Sequence, residues 1–190
     1  MTDALYMRRR SVRQFQAKPV PRELLMRLAD SARLAPSAAN RQPLEFIILD
    51  DPAVCAKVFP HLGWAAYISP AGNPLPGQEP RAYVVTLVNT AVRDKGCEYD
   101  VGAAVMSMIM TAWAEGVASC WLISVDRAGV ARLLGIPETH RLDSVLALGY
   151  PAEFPQVEDL TDSVQYWKDA EGRLHVPKRK LESVVHLNKF

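Results

Sequence analysis

Residues 97–115 constrain this chain more than any other segment. From Val101 to Ala114 the run is apolar except for Ser107 and Thr111, with Asp100 before it, Glu115 after it and Gly116 as a C-terminal stop. Its apolar side chains are not confined to one stripe, so a helix made from it must be covered nearly all round. It is too short to span a bilayer. The segment therefore predicts a central helix around which the rest of the fold is layered.

The flanking pattern supplies the layers. Pro21 opens a helix in which Leu24, Leu25, Leu28, Ala32 and Ala35 recur at helical spacing as far as Pro36. Residues 44–49, 81–88, 117–124 and 142–148 are apolar runs of strand length, and residues 52–58 and 126–134 read as short helices. Strands alternating with helices predict an α/β layered domain with helices packed on a sheet. Residues 1–153 form this core. Residues 154–190 hold a hairpin (Val164–Lys168, then Arg173–Val176 across Asp169 and Gly172) but no long amphipathic pattern. That extension is expected to pack on a partner subunit through Tyr166, Trp167 and Val176.

Composition narrows the functional classes. The 22 Lys and Arg nearly balance 21 Asp and Glu, leaving a net charge of +1, so no global field draws the chain to nucleic acid or to a membrane surface. Any anion must be held by a local basic cluster. Cys55, Cys97 and Cys120 form an odd, unpaired set, and His61, His140, His175 and His186 match no metal spacing. No metal is expected, and the N-terminal residues lack a signal-peptide pattern, so the expected location is cytoplasmic.

Four segments can carry chemistry. Arg8, Arg9, Arg10, Ser11 and Arg13 put four guanidiniums and a hydroxyl within six residues, fit for a phosphate dianion or for a solvated or nucleic-acid-binding basic turn. After Pro36, the small residues Ser37, Ala38 and Ala39 and the amides of Asn40 and Gln42 either make a plain turn or let backbone approach a flat heterocycle. Cys120, Trp121, Leu122 and Ile123 join the central helix to a strand, a junction that also suits a ligand. Lys178, Arg179 and Lys180 are either a solvated tail or a second hand on one phosphate. A long loop, residues 60–80, holds five prolines and three glycines with Trp64 and Tyr67 among them. It reads as a surface insertion or a lid over a substrate.

In this order the segments resemble the nitroreductase family of FMN-dependent oxidoreductases. The resemblance is carried by Arg9-Arg10-Ser11-Val12-Arg13, by the Ala-Pro-Ser-x-x-Asn-x-Gln-Pro run ending at Pro43, and by Asp100-Val-Gly with its helix to Gly116. Leu146-Ala-Leu-Gly-Tyr-Pro151 and Val176-Pro-Lys-Arg-Lys-Leu-Glu continue it, so it spans nearly the whole chain. It implies an α+β fold, with a mainly antiparallel central sheet flanked by helices, in an intertwined homodimer with FMN at the subunit interface. It implies that Arg9, Ser11 and Arg13, with Arg10 between them, hold the FMN phosphate, joined by Lys178 and Lys180. It further implies that Pro36, Ser37, Ala38 and Asn40 of the other subunit line the flavin, with the backbone of Cys120, Trp121, Leu122 and Ile123 beside the ring. The implied activity is reduction of small electron-poor acceptors by NAD(P)H, the flavin carrying the chemistry without a catalytic side chain. Trp64 and Tyr67 are candidates for the acceptor pocket, because flat electron-poor rings favour aromatic faces. The Pro-rich loop that carries them stands where many relatives place helices over the active site. The alternative function is a non-catalytic flavin or nucleotide-phosphate binding protein.

Overall fold

The computed structural model describes residues 2–190. Strands β1 (Leu44–Leu49), β2 (Ala82–Asn89), β3 (Ala118–Leu122) and β4 (His140–Gly149) form a fully antiparallel sheet in the order β1-β2-β4-β3. β2 lies inside, and its side chains alternate between two cores. Ala82, Val84 and Val88 face the layer of helices α2 (Arg22–Arg33) and α4 (Glu98–Ala114). Tyr83, Val85 and Leu87 face α3 (Pro52–Val58), α5 (Arg127–Leu134) and the start of the long loop. The period of two in a strand buried on both sides makes both layers obligatory. A short helix, α1 (Thr2–Arg8), precedes the core. No helix among the described residues is long and apolar enough to cross a membrane.

Helix α4 departs from its expected burial. Val101, Ala104, Val105, Met108, Ile109 and Ala112 are buried against α2 and the sheet. Tyr99, Met106, Met110 and Trp113 follow one another at helical spacing on the other side, with Tyr99 and Met106 openly exposed. The sheet and α2 occupy one side of the helix, and among the described residues the other side meets the short helix α1 but is left largely open.

The extension forms its own small sheet, β5 (Gln156–Asp159), β6 (Trp167–Lys168) and β7 (Leu174–Lys178), in the order β5-β7-β6. The hairpin β6–β7 agrees with the sequence. β5 was not foreseen, since Gln-Val-Glu-Asp has weak strand character and becomes a strand by parallel pairing with β7. Within its own chain this segment already has neighbours. Tyr166 meets Tyr67 of its own chain, ring centres 5.0 Å apart, and lies 5.4 Å from the Arg13 guanidinium. Trp167 stacks on His175 at 4.3 Å. Sequence distance hid the Tyr166 contacts, because Tyr67 and Arg13 lie about a hundred residues or more upstream.

His175 locks the small sheet. Its Nδ1 lies 3.0 Å from Glu158 Oε2 on β5 and its Nε2 lies 3.0 Å from Asp169 Oδ2 beyond β6. Carboxylates only accept, so both bonds require the doubly protonated ring. The bond to Asp169, with that to Glu158, raises the His175 pKa above its ordinary value. A raised folded-state pKa gives stability that is full below the unfolded value and lost as pH climbs through the folded one. We therefore expect the His175 ring resonances to titrate with a midpoint above about 6.5. The stability gap between the parent and His175→Gln should be widest below that pH and shrink as pH rises. A midpoint at or below it, or a gap that widens with pH, contradicts the clasp.

Candidate functional site

The basic segment is stitched into the fold along the edge strand β3. Ser11 bridges Ser119 in parallel fashion, and the Val12 N–H donates to the Ser119 carbonyl at 3.0 Å. Val12 and Phe15 are buried with Ala118, and Trp113 packs against them. Phe15 presses on Gly149 so closely that a Cβ there would lie 2.7 Å from its ring, which accounts for the glycine. Gln16 N–H to the Tyr150 carbonyl and Ala152 N–H to the Gln14 carbonyl fasten the other side.

This anchoring brings Arg9, Arg10, Ser11 and Arg13 together, all partly buried. None of the three arginines forms an ion pair with a carboxylate among the described residues. Glu153 is close, but its Oε1 accepts from the Arg13 backbone N–H. The Nε donors of Arg10 and Arg13 are buried without a partner among the described residues. Burial, and then Arg9 beside it, pushes the Arg10 pKa below its ordinary value. Clustered, desolvated, unpaired cations are costly alone and favourable around an anion. The donor set fits a phosphate dianion.

The second piece, the turn after α2, is held by Asp100. This carboxylate is 3% exposed in the first turn of α4. It accepts from Ser37 Oγ at 2.6 Å and from the Ala38 N–H at 3.1 Å. Ser37 Oγ in turn accepts from the Gln42 N–H at 2.9 Å. The clamp holds a strained backbone, with φ of 53° at Ala39, 53° at Asn40 and 52° at Gln42. Left-handed conformations cost non-glycine residues roughly 1–2 kcal/mol each, less for Asn. Pro36, Ala38 and Asn40 are exposed, whereas the Ser37 hydroxyl is engaged inside the turn. An aspartate at the head of an apolar helix was the available signal for this role.

The two pieces do not meet within one chain. The turn leads into β1 while the basic segment lies along β3, and these are the opposite edges of the sheet. Along α4, Asp100 marks one end and Trp113 the other, about 20 Å apart at 1.5 Å per residue.

The other candidates separate by burial. Cys120 and Leu122 are buried, Trp121 is partly so and Ile123 is exposed; the backbone of β3 borders the basic segment, and the buried Cys120 thiol lies beside the Arg13 side chain. Burial pushes the Cys120 thiol up, and it takes the Cys55 thiol to about 11 and raises Cys97. These thiols stay protonated near neutrality and are poor nucleophiles. Lys178 and Lys180 are exposed at the end of the small sheet, and no hydrogen bond or ion pair joins them to residues 9–13. Trp64 sits deeper than Tyr67, the other pocket candidate. It is 8% exposed and packs on Phe59 in the core, because Leu62 pairs with Val125 and draws the start of the loop beneath the sheet. Tyr67 is exposed. No group of three or more metal-ligating side chains occurs among the described residues.

The nitroreductase family model matches residues 6–150, and the chain belongs to the nitroreductase family. A provisionally named NADH dehydrogenase/NAD(P)H nitroreductase of Methanothermobacter thermautotrophicus is 31% identical, over 81% of this chain and 79% of that protein. A 5,6-dimethylbenzimidazole synthase of Rhodospirillum rubrum is 28% identical over 83% of this chain and 87% of its own length. In fold, the chain is similar to a provisionally named nitroreductase of Desulfovibrio desulfuricans solved in complex with FMN. The TM-score is 0.71 at 19% identity, covering 98% of this chain and 95% of that one.

The clamp gives a direct expectation. Asp100→Ala strands two donors that now bond to a buried carboxylate and should cost about 2–3 kcal/mol of stability in urea denaturation. A loss under about 0.5 kcal/mol would show that the turn holds its shape without Asp100.

Proposed function

We propose that this chain is an NAD(P)H-dependent FMN oxidoreductase that reduces small electron-poor acceptors, such as nitro compounds, quinones or flavins, by a ping-pong route. The observation that carries the proposal is the group of unpaired, partly buried arginines at residues 9–13. Arg9, Ser11 and Arg13, with Arg10 between them, would hold the FMN phosphate, and Lys178 and Lys180 on the small sheet would add positive charge. Pro36, Ser37, Ala38 and Asn40 would line the ring, Ser37 by shaping the turn, with the backbone of residues 120–123 beside it.

The separation of the two pieces supports a homodimer. If two copies of α4 pack antiparallel through the stripe of Tyr99, Met106, Met110 and Trp113, the turn of one chain comes near the basic segment of the other. The same pairing would cover the open side of α4. The exposed Leu181, Val184, Val185, Leu187 and Phe190 of the last ten residues are further apolar surface for that partner.

When bound, FMN supplies two-electron transfer between nicotinamide and acceptor. The protein's part is to hold the phosphate, orient the ring and present an aromatic face, Tyr67, to a flat acceptor. Donors aimed at the ring would stabilise its reduced, more negative form. No side-chain acid or base is assigned, which accords with the protonated state of the thiols.

The purified protein should be yellow and release FMN on denaturation, and NAD(P)H should bleach it. Arg13→Glu places a carboxylate against the dianion and should raise the FMN dissociation constant about 100-fold or more, read by flavin fluorescence quenching. A colourless protein that fails to take up FMN contradicts the cofactor, and an unchanged constant removes Arg13 from the site. Bound flavin that NAD(P)H does not bleach would leave a carrier in place of an enzyme.

A further inference from the structure

We infer that Gln14 is a positioning residue that pins the long loop to the phosphate-binding segment and thereby sets which acceptors the enzyme accepts. The selectivity half of this rests on the proposed flavin function. The pin itself rests on hydrogen bonds within the chain.

Gln14 follows Arg13 directly and is only 6% exposed. Its Nε2 donates to the Asn73 carbonyl at 2.9 Å and its Oε1 accepts from the Leu75 N–H at 2.9 Å. The carbonyl and the N–H lie two residues apart, and a primary amide satisfies both at once, as a neighbouring strand would. No other side chain of similar volume does this. Glutamate loses the donor and sets a charge against the Asn73 carbonyl, and leucine leaves both backbone groups unpaired.

The loop is built to be held this way. Gly72 and Pro74 are buried, and a side chain at Gly72 would run into Ala65 and Ile68, so the loop folds back on its own first turn. The Phe15 N–H donates to the Gln78 carbonyl at 2.9 Å. On the far side, Lys168 Nζ donates to the Ala71 carbonyl at 2.9 Å and Tyr166 meets Tyr67. Of these ties, Gln14 supplies the one in which a buried side chain joins the middle of the loop to the neighbour of a phosphate-binding arginine. The exposed rings and chains at the loop surface, Tyr67 and Leu75, therefore stand at a fixed place relative to residues 9–13. Releasing the pin moves the acceptor side and leaves the phosphate contacts in place.

The test uses the FMN-loaded protein with Gln14→Leu and Gln14→Glu. Hydrogen exchange of peptides spanning residues 66–78 should quicken about 10-fold in Gln14→Leu, the scale expected for losing two hydrogen bonds, and less in Gln14→Glu. FMN affinity and the rate of flavin reduction by NAD(P)H should stay within about 3-fold of the parent, as for a residue outside the chemistry. The ratio of kcat/KM for a nitroaromatic and a bulkier quinone should shift about 5-fold or more, through KM rather than kcat. Unchanged exchange in Gln14→Leu overturns the pin. Faster exchange with an unchanged acceptor ratio overturns the selectivity role. If the parent itself took up no FMN, the flavin reading would fail, and exchange on the unliganded chain would still decide the pin.

Discussion

Helix α4 is seventeen residues long, and its length governs how any site in this protein can be assembled. One end carries Asp100, which holds the turn of Ser37 and Ala38. The other end carries Trp113, which packs against Val12 and so against the arginine segment. About 20 Å of rigid helix separates what a single small ligand would need close together. The sheet repeats the constraint, since the turn and the arginines flank opposite edge strands. The same helix leaves an apolar stripe open, so one act of pairing would bury the stripe and join the pieces.

Each half of the proposed site is held by a buried polar group rather than by packing alone. Asp100 keeps three left-handed residues in place, and Gln14 keeps a Pro-rich loop against the arginine segment. Buried polar groups cost desolvation and are tolerable when their polar atoms find partners, and each side-chain oxygen and nitrogen of these two does. The arginines are the opposite case. Their unmet Nε donors leave an electrostatic deficit that an anion removes. An anion that met those donors would bring stability with it.

Much of this was legible in the sequence. Strand β1 falls on the expected residues, and α4 ends within one residue of its expected bounds at each end, because apolar runs and a glycine stop are strong local signals. The arginine cluster and the Pro-Ser-x-x-Asn turn stood out by residue type. What escaped was set by distant contacts. β5 exists through its pairing with β7, Trp64 turned out to be core because Leu62 pairs with Val125, and Tyr166 folds onto its own chain's loop. The roles of Asp100 and Gln14 escaped for the same reason, since one carboxylate or one amide gives no pattern along the chain. The burial of α4 was over-read because periodicity reports that a face must be covered, not which chain covers it.

The central claim is that the arginines of one chain and the turn of another make a single FMN site. Mixed dimers test it most directly. An Arg13→Glu chain is co-expressed with an Asn40→Trp chain under separate tags, the mixed species is isolated through both, and its FMN content is titrated. In a shared site, one pocket of the mixed dimer receives both substitutions and the other receives neither. One FMN per mixed dimer, bound with parental affinity, is then expected, while each parent variant alone binds poorly. A mixed dimer that binds no better than the two variants alone would place each site within one chain and contradict the account.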